Sequence, residues 1–248
     1  CYQNHVCYIY RLELTAMRNI ILFIFIILTV HLNMSARGSG EKPSIVVLHS
    51  INFEESWTKQ TYLDIERKFG EEGFTVKAIP LQIPGIRTME GFQEKRTMIL
   101  ERVPVPPTLV VCIGDPSWLV ARPLFDKEWK DIPSIICYAR DYMYPKEEYL
   151  IDLDKNVLDT LVPITDVVKG YNATFIKYSV YIKQTIELIK KLQPELTKLA
   201  FIFDRRYISQ QTKADVEAVL RKDFPGIQFE PLSTTSISTE NLLDRLAS

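Results

Sequence analysis

The chain has 248 residues, with 30 basic against 31 acidic side chains and 46% apolar residues. Near-balanced charge excludes recruitment to nucleic acid or to an anionic membrane by net electrostatics. The apolar content excludes wholesale disorder.

Residues 1–16 precede Met17 and read as upstream or fragment residues outside the fold. Met17-Arg18-Asn19 opens a basic start, followed by the apolar run Ile20 to Leu28, Thr29 and Val30, and then Ser35-Ala36-Arg37-Gly38. This pattern is that of a signal peptide over residues 17–36, with cleavage expected after Ala36. The run falls short of the roughly 20 residues that a spanning helix needs. No cysteine follows it directly, so no lipoprotein anchor is expected.

From Glu41 onward strands and helices alternate. Ser44–Leu48 reads as a buried strand, a helix covers about Glu55 to Glu71, and Phe74–Ile79 forms the next strand, stopped by Pro80. A helix from Glu90 to Arg102 ends before Pro104, and Thr108–Ile113 is an apolar strand that runs into Gly114-Asp115-Pro116. A short helix over Ser117 to Leu124 and a strand over Ser134–Tyr138 follow. Strands apolar throughout and separated by amphipathic helices predict an α/β fold, a parallel sheet flanked by helices.

Residues Ala139 to Asn172 break the rhythm, with a short helix expected near Asp154–Leu161 and a last strand before Gly170. The alternation then resumes with a helix over Lys177–Leu192, a strand over Leu199–Phe203, a helix over Ser209–Asp223 and a strand over Ile227–Leu232. A final helix begins near Ser238, which suits an N-cap. These elements divide into a first lobe, residues 43–172, and a partial second lobe, residues 173–248. Two strands are too few to cover both faces of a second sheet, so the natural chain is expected to continue past Ser248.

Candidate site residues follow from the strand ends. In open α/β sheets ligands bind beyond the carboxyl ends of the strands. His49 and Ser50 stand at the end of the first strand, Gly114 and Asp115 at the end of the third, and Asp204 and Tyr207 after Leu199–Phe203. Trp57 lies just inside the first helix, where an aromatic ring either stacks on a ligand or anchors the helix in the core. His49 is read either as a ligand contact or as a hydrogen-bonded strand-end histidine, and Asp115 as a helix cap or a ligand acceptor. Arg205 and Arg206 either grip an anion or belong to a solvated loop. Cys112 and Cys137, each inside an apolar strand, read as small buried hydrophobes.

Catalytic patterns are missing: there is no Gly-x-Gly-x-x-Gly after the first strand, no Walker lysine loop and no Gly-x-Ser-x-Gly elbow. His49 is the only histidine after the leader. No metal, no cofactor and no enzymatic activity are expected of this segment.

Leu48-His49-Ser50 with Trp57-Thr58 resembles the opening of the periplasmic sensor region of Bacteroides-type hybrid two-component histidine kinases. The stretch from Ile182 through Pro194 to Asp204, with Tyr207 and Gln211, is similar to the ABC-transporter substrate-binding-protein-like family. The resemblance covers about Pro43 to Ser248. It implies a type 1 periplasmic-binding-protein fold, with two α/β lobes and a small-molecule ligand between them. The family pattern has a Gly-Val step before the crossover helix, where this chain has Gly170-Tyr171-Asn172. The reading is therefore a periplasmic ligand-binding sensor domain, the N-terminal part of a membrane-bound hybrid histidine kinase. Such a parent is tethered by a later membrane helix and dimerises with itself. The alternative is the substrate-binding protein of an ABC importer, and a secreted α/β enzyme is the third class.

Overall fold

In the computed structural model the described residues are 42–51, 56–151, 160–178, 180–204, 207–234 and 241, with the backbone alone described at 56–58 and 207. The leader over 17–36, the helix near Asp154–Leu161 and the helix beginning at Ser238 lie outside them. The chain divides into two compact units, Cys1–Pro43 and Ser44–Ser248, and all the elements below belong to the second.

Five parallel strands form the first sheet: β1 (Ser44–His49), β2 (Thr75–Pro80), β3 (Leu109–Ile113), β4 (Ser134–Ala139) and β7 (Ala173–Lys177). Their order is β2-β1-β3-β4-β7. Helix α1 (Ser56–Glu71) links β1 to β2, α2 (Met89–Arg102) links β2 to β3, and α3 (Asp115–Phe125) links β3 to β4. The α/β class with a helix-flanked parallel sheet is thus the observed one. The first connection runs one way along the sheet and the next two run the other way. The strand order therefore reverses between β1 and β3, which opens a crevice at their carboxyl ends.

Composition explains which strands sit in the middle. Every residue of β3 is buried, as are five of the six in β1 and in β4, because helices cover both faces. Edge strand β2 alternates exposed and half-buried positions over its first four residues, so Lys77 is tolerated there. The core beneath α2 and α3 is built on Trp118, which is fully buried. Its ring stacks at 6.4 Å on Phe125 and meets Tyr171 edge-on at 5.3 Å, and its indole N–H donates to Ser134 Oγ at 3.3 Å. Helix α2 starts at Thr88, whose Oγ1 accepts the Gly91 N–H at 3.1 Å, and it buries Phe92 and Ile99.

The irregular stretch after β4 holds a two-residue strand β5 (Tyr142–Met143), a 3₁₀ turn (Glu147–Leu150), strand β6 (Val162–Pro163) antiparallel to β5, and the short helix α4 (Ile164–Val167). Arginines of the neighbouring helices pin it in place. Arg122 donates to the Pro145 carbonyl, and Arg96 meets Glu147 at 2.8 Å with both side chains 10% exposed. Arg96 is satisfied further by Gln93 Oε1 and the Val120 carbonyl. Tyr144 stacks on Tyr149 at 5.8 Å, and burial pushes its hydroxyl up to about 12.

Before Gly170 the described residues hold the two-residue β6, and it does not join the first sheet. The strand that completes the first sheet is β7, just after Gly170, so that sheet takes in residues 173–177, which the sequence reading assigns to the second lobe. The helix expected from Lys177 begins instead at Ile182. The second α/β portion comprises α5 (Ile182–Leu192), β8 (Lys198–Phe203), α6 (Tyr207–Asp223) and β9 (Gln228–Ser233), with β8 and β9 parallel. Its small core joins Ile186, Val216, Leu220 and Ile227 with Leu199, Phe201 and Phe229. Among the described residues the other face of β8 is open, with Ile202 46% exposed.

A polar tie holds the crevice. Ser50 Oγ donates to the Ile113 carbonyl at 2.8 Å and accepts the Ser117 N–H at 3.1 Å. It thereby caps α3 from another strand, the role that the sequence offers to Asp115. Gly114 sits between them at φ +89°, and a Cβ there would lie 2.7 Å from Ser50 Oγ.

Two stability outcomes follow. Gly114→Ala is expected to lose about 1–3 kcal/mol in urea melts from left-handed strain and the clash. Gly114→Ala/Ser50→Ala should lose less than the sum of the two single changes, because one atom causes the overlap. For the buried pair, Glu147→Ala should cost about 3–5 kcal/mol by stranding Arg96, while Arg96→Met/Glu147→Leu should recover most of it. Additive losses in either cycle would refute the assigned contact.

Candidate functional site

The crevice at the strand reversal brings His49, Ser50, Gly114 and Asp115 together. Hydrogen bonds from Leu81 N–H to the His49 carbonyl and from Ile83 N–H to the Ser50 carbonyl, each 2.8 Å, fix the end of β1. His49 is fully buried, and its Nδ1 lies 3.1 Å from the Ile51 N–H and 3.0 Å from the Ile51 carbonyl. Local backbone contacts thus hold the ring. Asp115 is 2% exposed at the first turn of α3, where a carboxylate suits the positive end of the helix dipole. Its Oδ2 accepts the Arg140 backbone N–H at 3.5 Å.

The end of β4 is irregular. Cys137 pairs with Ile176 and Ala139 with Lys177, so Tyr138 is an extra residue bulged out of the ladder at φ +61°. A tyrosine in this backbone region stores roughly 1–3 kcal/mol of strain, a cost that recurs at functional sites. Its hydroxyl lies 2.7 Å from Thr61 Oγ1 on α1, and its ring is 6.1 Å from that of the half-exposed Tyr178. Burial raises the Tyr138 hydroxyl above its ordinary value, against the bond from Thr61. Trp57 falls in the first turn of α1.

Helix α6 of the second portion meets this edge. Gln211 Nε2 donates to the Tyr142 carbonyl at 2.8 Å. Arg140 Nη2 lies 2.5 Å from Asp215 Oδ2 and 3.4 Å from Thr212 Oγ1. The Arg140 side chain is 7% exposed, while that of Asp215 is 52% exposed. Burial raises the Asp215 carboxyl above the usual carboxylate range, Arg140 pulls it down and Asp141 pushes it up. Asp204 follows β8, with its N–H donating to Ser209 Oγ at 3.3 Å, and Tyr207 opens α6. Among the described residues, Gln211 reaches the β5 backbone and Thr212 and Asp215 reach Arg140, one to two turns beyond Tyr207.

Sequence reasoning missed Arg140, Tyr138, Thr212 and Asp215 as site residues, though Gln211 belongs to the quoted resemblance. The one local signal is a lone arginine directly after an apolar strand.

Other chemistry has less support. Cys112 and Cys137 are free and buried, and burial pushes both thiols up, Cys137 to about 12, which disfavours the nucleophilic thiolate. Among the described residues no group of His, Cys, Asp and Glu is arranged to hold a metal ion. No helix among them is long and apolar enough to cross a membrane. A cavity of about 360 Å³ lies at the amino ends of β4 and β7, lined by Asp126, Lys130, Asp131, Lys169 and Tyr171 among others. That is the edge opposite to the strand-end crevice.

No protein-family model matches the chain, and no curated protein matches it significantly. Solved structures do align with it. A conserved domain protein from Vibrio cholerae O1 biovar El Tor is 14% identical at a TM-score of 0.51, over 78% of this chain and 58% of that one. A candidate LacI transcriptional regulator from Bacteroides fragilis is 10% identical at 0.52, over 83% and 65%. A substrate binding protein with adhesive properties from Clostridium difficile, in a ligand-free, open structure, is 17% identical at 0.47, over 82% and 60%. The chain thus spans about three fifths of the length of these structures. At such identities the likeness is one of fold. The first two alignments share with this chain an α/β fold with a helix-flanked parallel sheet.

Proposed function

We propose that the chain is a ligand-binding domain whose small-molecule site lies between the carboxyl edge of the first sheet and helix α6. The carrying observation is the meeting of α6 with that edge through Gln211 to the Tyr142 carbonyl and Asp215 to Arg140. It supports a site assembled from both α/β portions, as cleft binding requires. His49, Ser50, Trp57, Gly114, Asp115, Asp204 and Tyr207 are proposed as its lining. In this reading the first lobe takes in residues 43–172 together with β7, and the second follows that strand.

The finer reading is a sensor. The resemblance of Leu48-His49-Ser50 and Trp57-Thr58 to hybrid-kinase sensor openings supports an exported ectodomain, with residues 17–36 removed and a membrane helix and kinase in the rest of the parent. Ligand then shifts an equilibrium between lobe arrangements that a dimeric parent reads out across the membrane. Neither cofactor nor nucleic acid enters this scheme, and the segment binds without turnover.

A thermal-melt screen of the full chain against a metabolite library, with native mass spectrometry of carried ligands, tests binding. A ligand at a hundred times its Kd should raise Tm by about 5–10 °C. Trp57→Ala should weaken that ligand by about 1–3 kcal/mol. Unchanged binding in this variant removes Trp57 from the site. Turnover of a hit that tracks with a point substitution in the crevice overturns the binding-only reading. Sequence beyond Ser248 that encodes a membrane helix and kinase core supports the sensor, whereas a stop after a completed second lobe supports the importer protein.

A further inference from the structure

The guanidinium of Arg140 is over-supplied with donors for the partners around it. It is buried at the carboxyl edge of β4, and Nη2 carries both described contacts, to Asp215 and Thr212. Nη1 is buried, and among the described residues it has no hydrogen-bond partner. A guanidinium fork suits two parallel bonds to one carboxylate, and here the contact with Asp215 is through one arm. A charged donor left buried and unpaired is costly, so a site that keeps one has a use for it.

We propose that Arg140 is the anion receptor of the cleft and that its free arm takes a carboxylate group of the ligand. This rests on the binding site proposed above and names the chemistry of its ligand. The neighbouring charges select among anions. Asp215 meets the Arg140 guanidinium, Asp141 lies near Asp215 and is paired with Lys177, and Asp115 accepts the Arg140 backbone N–H. A singly charged carboxylate completes the fork, whereas a dianion such as phosphate adds repulsion from Asp215 and Asp141. Asp215, half exposed and raised by burial, is the contact that gives way as the ligand enters. The same exchange loosens α6 from the first sheet, which couples occupancy to lobe position.

The test follows the side-chain ¹⁵N resonance of Arg140 in the full chain, assigned by its loss in Arg140→Gln. Titrants are acetate, acetamide and inorganic phosphate at fixed ionic strength. Acetate should give a saturable shift, acetamide none, and phosphate should bind more weakly than acetate. Asp215→Asn, which removes the competing charge, should tighten acetate about tenfold. Arg140→Lys keeps the charge without the fork and should lose most of the affinity, which covers the case in which Arg140→Gln fails to fold. Lack of saturation in Asp215→Asn, an equal response to acetamide, or full affinity in Arg140→Lys overturns the proposal. Tighter phosphate than acetate overturns the monocarboxylate assignment. A neutral library ligand that binds through Trp57 overturns the anion receptor and leaves the binding site standing. Acetate at Arg140 with no library ligand upholds the receptor and overturns the wider site.

Discussion

A parallel sheet covered by helices on both faces has nowhere to put a polar side chain except at its ends. That constraint organises the whole first portion of this chain. β1, β3 and β4 are apolar almost throughout, so His49, Ser50, Gly114, Asp115 and Arg140 gather just past their carboxyl ends. The order β2-β1-β3-β4-β7 then separates the helices leaving β1 and β3, and the polar ends are left facing a crevice. The charge and hydrogen bonding of the site are consequences of burial elsewhere.

Within that crevice, structural and functional demands fall on the same atoms. Ser50 ties the end of β1 to the turn that starts α3, and the close approach of its Oγ is what demands glycine at position 114. A side chain that fixes the scaffold so fully has little freedom left to follow a ligand. Adaptable contacts are better sought at the outer rim, where Tyr178 and Asp215 are about half exposed.

The sequence made the alternation of strands and helices legible because fully apolar strands and amphipathic helices have distinct periods. β1, β3 and β4 emerge within a residue or so of their observed bounds. β7 was illegible because Ala-Thr-Phe-Ile-Lys is short, lies at a sheet edge and follows a stretch with no period at all. Arg140 was illegible for another reason. It opens a polar stretch, and its burial depends on a helix 75 residues further along the chain. Asp115 was recognised as either a cap or an acceptor, but the cap is supplied by Ser50, 67 residues before the N–H it accepts. Pairings of that range leave no mark on local composition.

The bulge at Tyr138 has a further consequence for how this chain can diverge. Side chains alternate across a strand, and the bulge takes up one extra residue, so Cys137 and Ala139 still face consecutive residues of β7. Removing Tyr138 would therefore relieve the strained backbone and leave Ala139 in register with Lys177, at the loss of the contact with Thr61. The excursion that follows is held by other ties, Arg96 to Glu147 and Arg122 to the Pro145 carbonyl. The sheet should therefore tolerate a one-residue deletion at position 138, while changes of length between Pro145 and Glu147 would break the ties to both helices.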